Sequence, residues 1–172
     1  MTEDELDQPI RYVERSRAYY LAQGYDNPYR WAEHESAPFT PLKKPLAESR
    51  IGIVTTAAPY RPEFGDQGPW AAYNAGAKFR HTYTLPTDCT PDLRISHIGY
   101  DRKHTSAEDQ NSYFPLLRMR ELEAAGRIGS IAPRFYGVET TRSQRQTIER
   151  DAPEIAGMMR EDGVDVAVLV AT

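Results

Sequence analysis

The sequence predicts an α/β fold: a partial parallel, Rossmann-like sheet with flanking helices, preceded by an N-terminal helix and an extended arm. Three observations carry this. From Leu93 onward, strand-like and helical runs alternate, the order that parallel crossovers require. An earlier run, Arg50-Ile51-Gly52-Ile53-Val54-Thr55-Thr56-Ala57, has the composition of a further strand. The segment from Val164 to Ala171 is apolar on both alternating faces after Asp165, as in a strand held mid-sheet between helices.

The 172 residues suit one domain with an extension: residues 1–48 form the helix and a Pro/aromatic-rich arm, and residues 49–172 an α/β domain. A net charge of -4 with arginines scattered among acids gives no basic face for nucleic acid or an anionic membrane. No apolar run approaches the roughly 20 residues of a membrane span. The start, Met1-Thr2-Glu3-Asp4-Glu5, is acidic where a signal peptide is basic. A single cysteine, Cys89, allows no internal disulfide, and the expected compartment is the cytoplasm.

The segment from Pro9 to Gln23 reads as a helix, with Ile10, Val13, Tyr20 and Leu21 on one face and Gly24 as its stop. Residues 25–48 carry Pro28, Pro38, Pro41 and Pro45 among Tyr25, Tyr29, Trp31 and Phe39. Proline fixes φ and removes amide donors, so this is an extended arm. Its aromatics are expected to strap over the domain's own surface; the competing assignment is a partner-binding arm. After the 50–57 strand, Pro59 to Ala77 is a long loop, and Gly65, Gly68 and Gly76 match no phosphate-binding pattern. His81 to Leu85 fits a short edge strand, and Thr87 to Asp92 is turn chemistry.

Leu93 to Ile98 reads as a strand of the main sheet, and Ser106 with Asp109 has the spacing of a capping box. A helix follows over Tyr113 to Ala125, with Leu116, Met119 and Leu122 as its apolar face and Gly126 as its end. Pro133 shortens the strand within Ile128 to Val138. Ser143 to Glu161 is helical with a break at Asp151-Ala152-Pro153, where Asp151 is expected to cap the second part. Ile148, Ala152, Ile155 and Met159 follow the spacing of a core-facing stripe. The turn at Asp162-Gly163 leads into the last strand.

In open α/β sheets, chemistry collects beyond the carboxyl ends of the strands. That rule selects Thr55 and Thr56; Ser96, His97, Tyr100 and Asp101; Arg134, with Tyr136 nearby; and Thr172. His97, Asp101 and His104 resemble a metal set only loosely, without a fourth ligand at fixed spacing, and no metal is expected. Ser96 and His97 are adjacent, so a strand would point them to opposite faces, against a Ser–His–Asp triad with Asp101. Cys89 sits in a proline-flanked turn with no thiolate-stabilising partner and reads as an incidental thiol. Arg118, Arg120 and Glu121 read as a solvated helix face. By residue chemistry alone the chain holds no self-sufficient catalytic set.

Several longer motifs carry a resemblance. They are Ser96-His97-Ile98-Gly99-Tyr100-Asp101, then Asp109-Gln110-Asn111, Phe114-Pro115, and Arg118-Met119-Arg120-Glu121-Leu122 through Gly126-Arg127-Ile128-Gly129. Ala132-Pro133-Arg134-Phe135-Tyr136-Gly137 and Asp151-Ala152-Pro153-Glu154-Ile155 through Glu161-Asp162-Gly163-Val164-Asp165 continue it. In order and spacing this series resembles the selenoprotein B family of glycine, sarcosine, betaine and D-proline reductases, and in length and layout the D-proline reductase redox subunit. The resemblance covers about residues 50–172.

The resemblance implies that the last strand leads directly into a selenocysteine, or a cysteine in some members. That residue cleaves a substrate C–N bond reductively, with a dithiol or thioredoxin-type donor. It also implies a partner subunit whose pyruvoyl group holds the amine substrate. The chain departs from the pattern in that the reactive residue would be the one after Thr172; the expectation is an in-frame UGA codon there and a chain inactive alone. A homo- or hetero-oligomer is expected, because the last strand would otherwise expose an apolar edge. The alternatives are a non-catalytic partner or assembly domain that ends at Thr172, and a stand-alone enzyme using His97 and Asp101 for acid–base work.

Overall fold

The computed structural model describes residues 11–26, 34–61, 63, 81–97, 100, 106–138 and 143–171. In chain order its elements are α1 (Tyr12–Ala22), β1 (Arg50–Thr55), β2 (Ala58–Pro59), β3 (Tyr83–Pro86), β4 (Leu93–Arg94), α2 (Leu116–Ala124), β5 (Ser130–Ile131), β6 (Arg134–Gly137), α3 (Gln144–Gln146), α4 (Ala152–Glu161) and β7 (Val166–Val170). The class is the expected one: an α/β fold with a largely parallel sheet flanked by helices.

β1 is the centre of that sheet. β5 and β6 follow one another along one side of it and β7 lies along the other, all parallel to β1. β3 adds to the outer side of β6 in the antiparallel sense, as the edge strand expected there. Pro133 explains the division between β5 and β6. Ile51 pairs with Ile131 but Val54 with Tyr136, so Gly52 and Ile53 face a longer stretch of partner chain. The surplus forms a bulge around the residue that cannot donate an amide. Ladder bonding holds up to the break, where the Ala132 amide donates to the Ile51 carbonyl at 2.8 Å.

The alternation of β1 sorts the core into two layers. Ile51 and Ile53 join Leu93, Ile95, Phe114, Leu116, Met119, Ile128 and Phe135 beneath α2. On the other face Val54 and Tyr136 meet Ile155, Met158 and Met159 of α4. Gly52 lets α4 approach, since a methyl group there would lie 3.0 Å from Val164 and 3.2 Å from Met159.

Several local expectations are overturned. Tyr12–Ala22 is helical, but none of its residues is buried; of its apolar stripe, the half-buried Tyr20 meets the rings of its chain neighbours Tyr19 and Tyr25 edge-on. Phe39 is 87% exposed, which contradicts a strap for the described part of the arm; Tyr29 and Trp31 lie outside the described residues. Leu93–Arg94 pairs antiparallel with Ala58–Pro59 in a separate ribbon instead of joining the main sheet. The reason is that β1 peels out of the sheet after Thr55 and carries β2 to meet it.

Asp109 caps a short 3-10 turn at Gln110–Ser112, accepting from the Asn111 amide at 2.9 Å. There is thus no capping box on α2, which starts after Pro115, and Leu122 is exposed on it. The break in the late helix is a π-turn over Thr147–Asp151. Asp151 is itself helical there and caps nothing; it is buried, accepting from Arg150 Nε at 2.8 Å and Gln146 Nε2 at 3.2 Å. Of the predicted stripe, Ile155 and Met159 pack, whereas Ile148 and Ala152 are exposed because the π-turn rotates the register.

β7 also differs from expectation. Its Val166, Val168 and Val170 pack on the α2 side, but β1 is its only strand partner among the described residues. Ala167 and Leu169 are exposed on the α4 side, Leu169 to 76%. Among the described residues, then, a strand apolar on both faces pairs with β1 alone and leaves an apolar margin exposed.

Candidate functional site

The carboxyl ends of β1, β6 and β7 come together, and the chain leaves β1 there through a closed set of hydrogen bonds. The Val138 amide, just past β6, donates to the Thr55 carbonyl at 2.9 Å. The Thr56 amide donates to the Val170 carbonyl at 3.4 Å, tying the end of β7 to the end of β1. The buried Thr55 Oγ1 accepts from the Ala57 amide at 3.1 Å. The Ala57 carbonyl in turn accepts from the Tyr83 hydroxyl.

Tyr83 belongs to β3, whose antiparallel course brings its first residue to the same end of the sheet, beside Gly137. Burial pushes the Tyr83 phenol well above its ordinary range, so it stays a neutral donor. Its ring meets Phe135 edge-on, with centroids 6.1 Å apart. Tyr83 was not singled out from the sequence. The available signal was its partner: a glycine ending a strand of large residues marks a close approach by something bulky.

The antiparallel ribbon brings the second loop to this end. Ala58 pairs with Arg94 and Pro59 with Leu93; continuing that register sets Ile95 level with Ala57 and Ser96 level with Thr56. Ser96 is buried and His97 half-buried. The His97 carbonyl accepts from the Tyr100 amide at 3.3 Å, and Tyr100 packs against the α2-side core. Thr55, Thr56 and Ser96 therefore share the strand-end region with Val170. Asp101, His104 and Thr172 lie outside the described residues, as does most of the 59–77 loop.

Arg134 is at the other end of the sheet, where β6 begins. Its Nε donates to Asp162 Oδ2 at 2.7 Å and its Nη2 to Glu161 Oε2 at 3.3 Å. The Tyr136 hydroxyl donates to the same Asp162 oxygen at 2.5 Å, and Arg50 Nη1 donates to the Asp162 carbonyl at 2.6 Å. Partial desolvation pushes the Asp162 carboxyl up, but the bonds from Arg134 and Tyr136 outweigh it and hold the group below its ordinary value. Burial, and then the bond to Asp162, push the Tyr136 phenol up. This cluster fixes the turn before β7 to β1 and β6.

Cys89 is exposed, in the turn expected. Arg118 and Glu121 form an exposed pair at 2.8 Å. Arg120 differs from its predicted solvated role: its Nη2 donates to the Thr87 and Cys89 carbonyls at 2.5 and 2.9 Å, anchoring that turn. Among the described residues no helix is long and apolar enough to cross a membrane.

Residues 43–172 match the family described as glycine/sarcosine/betaine reductase selenoprotein B. The chain belongs to that family. It is 31% identical over 135 residues to the D-proline reductase subunit gamma of Acetoanaerobium sticklandii, covering 77% of this chain and 52% of that protein. It is 26% identical over 146 residues to the glycine reductase complex component B subunit gamma of Carboxydothermus hydrogenoformans, covering 80% of this chain and 31% of that protein. It is also 26% identical over 135 residues to the betaine reductase complex component B subunit beta of Peptoclostridium acidaminophilum, 75% of this chain and 29% of that protein. The chain thus spans from about half to under a third of the length of these relatives. No solved structure matches it.

Proposed function

We propose that this chain acts as the redox subunit of a selenoprotein B-type reductase, cleaving a C–N bond of an amino acid or amine substrate. The observation that carries the proposal is the bond from the Thr56 amide to the Val170 carbonyl. It ties the end of β7 to the end of β1, which supports reading the strand-end region of Thr55, Thr56 and Ser96 as the surroundings of the position after Thr172. In this proposal that position holds the reactive selenocysteine or cysteine.

The surroundings fit an anionic selenolate or thiolate in their donor chemistry. The hydroxyls of Thr55, Thr56 and Ser96 and the half-buried His97 are hydrogen-bonding groups, and no carboxylate among the described residues takes part in the strand-end bonds. A selenol is ionised at neutral pH and supplies both a nucleophile and a leaving group. The chain's own share is placement. The Thr55–Ala57 bonds and the Tyr83 hydroxyl hold the turn that forms the floor of the site, and burial of the Tyr83 phenol keeps its proton in place.

Reductive cleavage of a C–N bond takes two electrons and two protons, which a dithiol supplies on closing to a disulfide. A thioredoxin-type dithiol protein is the proposed donor. A pyruvoyl-bearing subunit is the proposed holder of the amine. The family membership and the subunit and complex names of the relatives support a multi-subunit setting.

The test is to isolate the protein with its natural partners and assay it with dithiothreitol and, separately, D-proline, sarcosine and glycine betaine. One of these is expected to give the ring-opened or deaminated product, and alkylation with iodoacetamide is expected to stop it. Failure with all three, or equal turnover by the purified 172-residue chain alone, would overturn the proposal.

A further inference from the structure

The antiparallel ribbon of β2 and β4 carries a guanidinium that the strand-end hydrogen bonds do not use. Leu93 and Ile95 are buried in the α2-side core. Side chains alternate along a strand, so Arg94 and Ser96 share the opposite face. The register that pairs Arg94 with Ala58 sets Ser96 level with Thr56, about 7 Å further along the same strand. The Arg94 side chain is only 14% exposed. Its guanidinium carbon lies 4.3 Å from the centre of the Tyr60 ring, and the Tyr60 amide donates to the Asp92 carbonyl at 2.8 Å.

Three of the five N–H bonds of this guanidinium are taken. Nη1 donates to one Asp92 carboxylate oxygen and, at 2.9 Å, to the Leu93 carbonyl, which also accepts from the Tyr113 hydroxyl at 3.4 Å. Nη2 donates to the other Asp92 oxygen at 3.3 Å. What is left is Nε–H and the second Nη2–H, side by side on one edge, and among the described residues nothing bonds to that edge. Two parallel donors of this kind match the two oxygens of a carboxylate. Unpaired donors on a largely buried side chain are unfavourable, so the edge favours such a ligand. Asp92 occupies the end of the guanidinium and not this edge; its own side chain is 61% exposed, where water screens its repulsion of a second anion. The Tyr60 ring fixes the guanidinium plane. Ser96 is buried, and among the described residues no hydrogen bond reaches its hydroxyl.

We propose that the Nε/Nη2 edge of Arg94 receives the carboxylate of the amine substrate, with the neighbouring C–N bond directed along the ribbon toward Ser96 and Thr56. D-proline, sarcosine and glycine betaine each carry a carboxylate next to the carbon bonded to nitrogen. The inference rests on the proposed reductase reading for its substrate class, whereas carboxylate binding at Arg94 does not require the redox step.

The test measures binding of D-proline, sarcosine and glycine betaine to the 172-residue chain by ligand-observed NMR, each beside its own carboxamide. At least one acid is expected to bind, about tenfold or more tightly than its amide, which has one acceptor oxygen and no charge. Arg94→Gln should weaken the acid about ten- to hundredfold and leave the amide unchanged. Arg94→Lys keeps the charge without the fork and should fall between. Damage to the fold would weaken acid and amide alike, so the ratio of the two isolates recognition of the carboxylate. In the native complex Arg94→Lys should raise KM for the acid more than it lowers kcat. No binding of any acid, an acid bound no more tightly than its amide, or a ratio unmoved by both variants would each overturn the inference. Acid binding that depends on Arg94, without turnover in the native complex, would overturn the redox reading alone.

Discussion

The ring of Tyr83 lies across the α-carbon of Gly137, where an added methyl group would come within 1.9 Å of two ring carbons. The contact joins β3 to β6 at the carboxyl end of the sheet and sets the height at which the Tyr83 hydroxyl reaches Ala57. Gly137→Ala is therefore expected to destabilise the fold by about 1–3 kcal/mol or more, because a well-packed ring cannot yield that distance without moving β3. Urea unfolding of the single variant and of the same variant with Tyr83→Leu checks the cause. The double variant should recover part of the loss; if it is worse than the sum of the two single changes, the clash is not the mechanism.

Removing only the phenolic oxygen asks a different question. Tyr83→Phe keeps the ring on Gly137 but leaves the buried Ala57 carbonyl without this donor. A lost neutral hydrogen bond with a buried partner left unpaired costs about 1–3 kcal/mol. The expected outcome is a loss in that range, with faster hydrogen exchange confined to the Thr55–Pro59 turn. Uniform exchange across the sheet would contradict a local role.

The Asp162 cluster makes stability pH-dependent at both ends. The Asp162 and Asp165 carboxyls are both held below their ordinary 3.8 in the folded chain. Their contribution is present above that value and is lost as pH falls through the lowered folded values. The buried Tyr83 and Tyr136 phenols are shifted the other way, up from 10.0. Their contribution is complete below that value and is lost as pH rises toward the raised folded values. Thermal unfolding between pH 2 and 11 should show a plateau with a fall on each side. Asp162→Asn should shrink the acid limb and leave most of the alkaline one, which rests also on Tyr83.

Arg134 separates the two ends of the sheet in function. Its guanidinium is bonded to Asp162 and Glu161, at the amino end of β6. Arg134→Gln is expected to lower stability by about 1–3 kcal/mol, since Asp162 is only 13% exposed and loses a charged donor. If the proposed reductase function holds, the Michaelis constant for the amine substrate should stay unchanged. A tenfold rise in that constant without loss of stability would instead put Arg134 at the substrate.

Much of the sheet was legible because its strands are written in period and punctuation. Arg50–Thr55, the interruption at Pro133 and the turn at Gly163, where φ is +66°, all come from residue type. The parts that were not legible depended on where the chain goes after leaving a strand. Leu93–Arg94 looked like another sheet strand because burial of Leu93 and Ile95 gives the same pattern in a ribbon. β7 looked central because apolar residues on both faces do not say whether anything covers the second face. The strand-end rule put Thr55, Thr56 and Ser96 at the carboxyl end of the sheet, where the structure has them. It misplaced Arg134, which sits at the start of a strand shortened by a bulge, and it overlooked Tyr83, whose strand runs the other way.

The proposed chemistry requires the reactive group to come directly after β7, and the native polypeptide itself can be read at that position. Protein isolated from its native cell is reduced, alkylated, digested and analysed by mass spectrometry for the peptide that contains Thr172 and extends beyond it. An alkylated selenocysteine or cysteine is expected at the next position, with selenium's isotope pattern in the first case. Any other residue there, or a native polypeptide that stops at Thr172, would contradict the proposal.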